Sequence, residues 1–154
     1  MKTRTLMLTL AVCFVGAAVC FAQDPNIGTW KLNEAKSQLP AGAPKIATVV
    51  FAAEGDNMKV IQNGTDKDGK PIHIEWTGKF DGKDYTVTGN PALDSRSYQK
   101  IDDRTMVSTS KKDGKVVTSA RSVVSADGKT RTVHVTQTDS AGKKVTGTVV
   151  YDKQ

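Results

Sequence analysis

Past Pro25, apolar and polar residues alternate with a period of two. The clearest run sets Ile72, Ile74, Trp76 and Phe80 against His73, Glu75, Thr77 and Lys79. Weaker stripes of the same kind are Met58 with Val60, Tyr85 with Val87, and Val133 with Val135. Successive side chains of a strand point to opposite faces, so this period predicts strands with one face buried and one wet. The residues between the breaks are largely Val, Thr, Ile, Tyr and Ser, and the β-branched and aromatic ones favour a pleated surface.

The breaks are turn dipeptides: Gly55-Asp56, Asp68-Gly69, Asp81-Gly82, Gly89-Asn90-Pro91, Asp102-Asp103, Asp113-Gly114, Asp127-Gly128 and Ala141-Gly142. Glycine and aspartate accept the positive φ that tight hairpins need, which makes these strong hairpin signals. Their spacing leaves strands of about nine or ten residues, longer than usual. The recurring Asp-Gly-Lys triplets are unevenly spaced and sit on turns, so hairpin chemistry explains them without a solenoid repeat. Asn63-Gly64-Thr65 fits the N-glycosylation pattern, but Asn-Gly is read first as another turn.

Only Asn33-Glu34-Ala35-Lys36-Ser37 suggests a helical turn, with Asn33 as its cap. Leu39 to Pro44 contains two prolines and reads as an extended loop between the first two strands. About ten strands in sequence order leave two exposed edges unless the first and last pair, which favours a closed up-and-down barrel over an open sheet. The expected fold is therefore all-β, an antiparallel up-and-down barrel, with a two-sheet β-sandwich as the alternative. Ten strands enclose more width than side chains alone fill in eight-stranded barrels, and only 6% of the chain is aromatic, so a cavity is expected.

The amino end reads differently. Lys2 and Arg4 precede an apolar run from Leu6 to Val19, broken by Thr9, which closes on Cys20-Phe21-Ala22. This is the order of a cleavable secretory signal, and the run is shorter than the roughly 20 residues that span a bilayer. Val12 and Val19 precede the two cysteines, which argues against a lipoprotein site. The expected division is a signal peptide over 1–22 and a single domain over 23–154, with the product secreted or periplasmic. Cleavage would remove both cysteines, so no disulfide is expected. The 22 Lys and Arg against 16 Asp and Glu include two cations in the leader, and the rest are scattered through turns. That pattern reads as a solvated surface rather than a nucleic-acid or membrane footprint. A monomer with no membrane span in the mature chain is expected.

Gly28-Thr29-Trp30-Lys31-Leu32 at the first strand and Val150-Tyr151-Asp152-Lys153 at the last resemble the two ends of the lipocalin and fatty-acid-binding-protein (calycin) superfamily. The chain is most similar to small exported bacterial lipocalin-like proteins of unknown function. The resemblance implies that Trp30 plugs the closed end of the barrel and that an arginine of a late strand, matched here to Arg121, packs across it. It also matches Tyr151 to the tyrosine of a terminal Arg-x-Tyr carboxylate clamp, although Val149 stands at the arginine position. Asn33 to Pro44 is too short for the two lid helices of that superfamily.

Candidate chemistry is sparse. His73 and His134 each alternate with apolar neighbours and are expected to face outward, and no set of ligands with zinc spacing is present. No serine lies in a Gly-x-Ser-x-Gly elbow. Glu54, Glu75 and the many aspartates could in principle pair, but most aspartates sit in turns where backbone capping explains them. No catalytic residue, metal or cofactor is assigned. Arg96 and Tyr98 share one face of the sixth strand and form a candidate polar wall, with an exposed edge strand as the alternative. The ligand-binding set is therefore Arg121, Tyr151, Trp76, Arg96 and Tyr98, with Trp30 structural. The expected function is an exported protein holding a small, partly apolar ligand. The alternatives are an envelope protein-binding module, such as an inhibitor or assembly factor, and, behind it, a hydrolytic enzyme.

Overall fold

In the computed structural model, which describes residues 24–139 and 141–154, ten antiparallel strands close into one barrel. The signal assigned to residues 1–22 lies outside the described residues. The strands are β1 (Gly28–Leu32), β2 (Lys45–Glu54), β3 (Asn57–Thr65), β4 (Pro71–Gly78), β5 (Tyr85–Thr88), β6 (Ser95–Lys100), β7 (Thr105–Lys112), β8 (Lys115–Val124), β9 (Thr130–Thr138) and β10 (Lys144–Lys153). Each pairs with its sequence neighbours, and β1 pairs with both β2 and β10, with Trp30 opposite Val49 on one side and Lys153 on the other. The sheet thus has no free edge, and the sandwich alternative falls. No helix among the described residues is long and apolar enough to cross a membrane.

Alternation decides what lies inside. Phe51, Val60, Trp76 and Val87 form one cross-strand row, all four buried, while His73 and Thr77 are exposed. The named turn dipeptides all fall between strands. At the two-residue β7–β8 turn, Asp113 and Gly114 both take positive φ (49° and 74°), the requirement that the sequence met with Asp-Gly. A short 3-10 turn (Glu34–Lys36) follows Asn33, whose side chain accepts from the Lys36 amide as a cap.

Asn63-Gly64 departs from its expected turn, because both residues lie inside β3. Gly64 is inward and faces a bulge in β2 between Ile46 and Thr48. A Cβ there would come within 2.0 Å of the Lys45 carbonyl oxygen, so glycine serves close backbone approach rather than a turn.

Chain direction gives the barrel two unlike ends. The segment before β1 and the β6–β7 and β8–β9 turns meet at the first. At the second, residues 33–44 cross as a strap beside the β5–β6, β7–β8 and β9–β10 turns.

Candidate functional site

The first end is closed by side chains. Trp30 is fully buried and donates from its indole to the Asn26 carbonyl at 2.9 Å. Asn26, also fully buried, donates to Asp24 Oδ1 (2.9 Å) and to the Asp103 carbonyl (3.2 Å). Arg131 of β9 spreads over this floor, with its guanidinium carbon 4.3 Å from the Phe51 ring centre and 5.9 Å from that of Trp30. It donates to Ser122 Oγ at 2.9 Å and to Asn26 Oδ1 at 3.3 Å. Burial pushes its pKa down to about 10, so it remains a cation at neutral pH.

Above the floor is a cavity of about 370 Å³, within the range of small-molecule sites. One side of its wall is mostly apolar, with Ile46, Val49 and Phe51 of β2, Ile74 of β4, Val133 and Val135 of β9 and Val149 of β10, interrupted by Gln62 of β3 between Val49 and Ile74 and by Gln137 of β9. The other side is polar, with Arg96 and Tyr98 of β6, Ser108 and Ser110 of β7 and Thr118 of β8. Arg96 is 9% exposed. It donates through Nε to Ser110 Oγ (2.8 Å) and through Nη1 to Gln62 Oε1 (2.6 Å) and the Tyr98 hydroxyl (3.2 Å). Its Nη2 has no bond to any described residue, and no described Asp or Glu lines the cavity.

The strap shapes the mouth. Gln38 exchanges two backbone hydrogen bonds with Thr148 of β10, at 2.7 and 2.9 Å, and Glu34 pairs with Lys45 at 2.8 Å. Pro40 is buried against Gly147, where a Cβ would lie 2.5 Å from both Pro40 Cδ and the Gln38 carbonyl oxygen. Leu39, Pro40, Ala43 and Pro44 consequently line the cavity. This is a single short cover in place of paired lid helices.

Of the residues singled out from sequence, Arg96, Tyr98 and Tyr151 line the cavity, and Trp30 sits in the closed floor. Tyr151 donates to the Ile46 carbonyl at 3.3 Å, and burial raises its pKa above the ordinary phenol value. Trp76 points inward but does not line the cavity. Its ring stacks on Phe80 (6.2 Å), meets Tyr98 edge-on (4.7 Å), and donates to the Arg96 carbonyl at 2.8 Å. It belongs to an aromatic core that backs the polar wall.

Arg121 corrects the sequence reading. Ser122 and Val124 face inward, so Arg121 is exposed on the outer face, in register with Val107 and His134. The arginine over Trp30 is Arg131, which lies opposite Tyr151 across β9 and β10. A cation thus stands beside Tyr151 although Val149 occupies the terminal-strand position. The signal was present: Arg131 shares its parity with Val133 and Val135, already an inward stripe. Gln62 was likewise missed, although it shares a face with Met58 and Val60.

His73 and His134 are on the outer surface, bonded to Asn63 and Glu75 and to Thr148 respectively. Among the described residues, no group of three or more His, Cys, Asp or Glu is placed to hold a metal. Glu75 is engaged outside the barrel by His73 and Lys59, which hold its carboxyl below the usual range.

The geometry defines a closed ten-stranded up-and-down barrel with one plugged end and a cavity toward the other. Among solved structures, the chain matches "Structure of EF1p2_mFAP2b bound to DFHBI" with a TM-score of 0.50 and 11% identity, over 85% of this chain and 95% of that one. It also matches a redesigned β barrel, mFAP1, bound to DFHBI (TM-score 0.44, 17% identity, 82% and 94% covered). A further redesigned barrel, b11L5F_LGL, gives a TM-score of 0.45 at 17% identity, with 85% and 93% covered. No family model matches the chain, and no curated protein does.

Proposed function

We propose that the chain is an exported, lipocalin-like binding protein that holds a small, partly apolar ligand inside its barrel and catalyses no reaction. The carrying observation is the 370 Å³ cavity, whose apolar wall faces a buried arginine with an unspent donor and no acidic neighbour among the described residues. Apolar area to bury a ligand's body and a few fixed polar groups to orient it are the usual division of labour in such sites. The structural match to a barrel bound to DFHBI supports this reading at the level of fold. Both histidines stand on the outer face, away from the cavity, which favours binding over acid–base chemistry there.

The test is titration of the mature chain with decanoate, retinoic acid and 1-naphthoate, followed by tryptophan emission. Trp76 contacts Tyr98 in the cavity wall and is expected to report occupancy. Silence with every probe, together with an interior filled by side chains in an experimental structure, would sink the proposal and favour the protein-binding alternative. Export is checked separately. Intact mass of the secreted or periplasmic product should begin at Gln23, and a cytosolic product retaining Met1 to Ala22 would overturn it.

A further inference from the structure

We infer that the barrel wall has a gate of its own, apart from the mouth: the seam between β4 and β5, held shut by the hydrogen bond from Arg96 to Gln62. The gate does not depend on what the cavity holds.

Backbone pairing is thin at this seam. β3 pairs along the whole of β4, from Thr65 opposite Pro71 to Met58 opposite Gly78, whereas β5 meets β4 only at Glu75–Thr88 and Trp76–Val87. On the mouth side Gly89 lies against the His73 carbonyl, where a Cβ would stand 1.8 Å from the oxygen. The break therefore falls on the other side, where Thr77 and Gly78 do not pair with Thr86 and Tyr85. Its cause is the Tyr85 ring, which lies so close over Gly78 that a Cβ there would be 2.5 Å from it. A recess of about 340 Å³ opens on the break, lined by Glu75, Trp76, Thr77, Tyr85, Thr86 and Thr88. β5 is tied to β6 rather than to β4, because the loop before it donates from Gly82 to the Tyr98 carbonyl (2.9 Å) and accepts at the Phe80 carbonyl from Lys100 (3.3 Å).

Side chains close what the backbone leaves open. From β4, Trp76 donates through its indole to the Arg96 carbonyl of β6 at 2.8 Å. From β6, Arg96 reaches back inside the barrel to Gln62 of β3, Nη1 to Oε1 at 2.6 Å. Two strands, β4 and β5, lie between these residues in the sheet, so this bond is a strut across the seam. Ser110 and Tyr98, which also accept from Arg96, belong to β7 and β6 and stand on its own side. Segments with few paired backbone groups open ahead of the whole fold. A lost hydrogen bond of usual strength shifts such an opening by roughly threefold to tenfold.

Amide hydrogen exchange, read residue by residue by NMR on the mature chain, tests the strut. Gln62→Met removes the acceptor and is expected to speed exchange at residues 75–77 and 85–88 by roughly threefold to tenfold, while β8, β9 and β10 keep the parent's rates. Gln62→Glu retains an acceptor for Nη1 and should return the seam to the parent's rate or below. Arg96→Met should open the same seam, and adding Gln62→Met to it should add nothing, because the bond is already lost. Should Gln62→Met fail to fold, Gln62→Ser, too short to reach Arg96, makes the same comparison. Unchanged exchange at the seam in the variant without the acceptor, or a rise shared equally by every strand, overturns the gate. A seam as open in Gln62→Glu as in Gln62→Met overturns the strut.

Discussion

The two ends of the barrel each bury an arginine on an inward strand position, and the protein treats them differently. At the closed end Arg131 lies between Phe51 and Trp30, and its hydrogen bonds go to Asn26 and Ser122. Nearer the mouth Arg96 lines the cavity and is anchored by Ser110, Gln62 and Tyr98, while its Nη2 bonds to no described residue. A buried charge stabilises a fold only where its partners are supplied. Both arginines are anchored by oxygens of the chain; what differs is the cover, the Phe51 and Trp30 rings over Arg131 and the open polar wall of the cavity around Arg96.

The largest expected effect tests the floor. Truncating a fully buried tryptophan typically costs about 3 to 5 kcal/mol, against about 5 to 15 kcal/mol for a whole domain. Trp30→Ala also strips the Asn26 carbonyl of its indole donor. Denaturant unfolding should show the loss directly. A variant that melts within a degree or two of the parent would mean that the floor contributes little and that the contrast between the ends is mistaken.

A smaller effect is expected where the strap docks. Gly147→Val would drive a side chain into Pro40 and the Gln38 carbonyl, a conflict of the overpacking kind that costs about 1 to 3 kcal/mol. Because the strap covers the mouth and not the floor, ligand release should quicken as stability falls. Stopped-flow displacement of a bound fluorescent probe measures this, and unchanged release with lowered stability would separate the strap from the exit path.

The sharpest comparison applies the same substitution at both arginines. Arg131→Met leaves the buried Asn26 Oδ1 and Ser122 Oγ without their donor, so a loss of about 1 to 2 kcal/mol is expected with little change in affinity for neutral ligands. Arg96→Met strips Ser110 Oγ and Gln62 Oε1 of their donor but leaves them on the cavity wall, where water reaches them, so a loss below about 1 kcal/mol is expected. Its effect should appear instead as weaker binding of acids than of neutral analogues. Equal stability losses at the two positions would abolish the distinction.

Much of this was legible in the sequence. Strand number, order, closure and turns followed from alternation and from Asp-Gly chemistry, because each hairpin is a local event. Arg96 and Tyr98 were found because they share one face of their own strand, and Tyr151 through the resemblance to a terminal Arg-x-Tyr. What failed was information held between strands. Arg121 was placed by its position in a late strand, yet one residue of parity puts it outside, and Ser122 takes the inward place. Trp76 was read correctly as inward, but its packing against Phe80 and Tyr98 depends on where those rings meet across the barrel. Gly64 was taken for a turn because its true reason, the approach of the Lys45 carbonyl, belongs to another strand.

The smallest effect concerns Asp24, which ties the segment before β1 into the floor. Partial burial works against its ionisation, but the Asn26 backbone and side-chain donors and Lys100 outweigh that and hold its pKa below the ordinary 3.8. A carboxylate depressed in the folded state contributes stability that is complete above its unfolded value and is lost as pH falls through the folded one. Its side chain is 25% exposed and its ion pair with Lys100 reaches solvent, so the contribution should stay under about 1 kcal/mol. The Lys100 pKa is raised by the same contact, so that partner stays charged throughout the acid range. Comparing the parent with Asp24→Asn isolates the group from every other titrating carboxylate. The gap between their unfolding midpoints should be widest near neutral pH and should close as the pH falls through and below the ordinary carboxylate range. A gap that stays constant through the acid range would show that the segment is held by Asn26 alone, and that the floor owes nothing to the charge beside it.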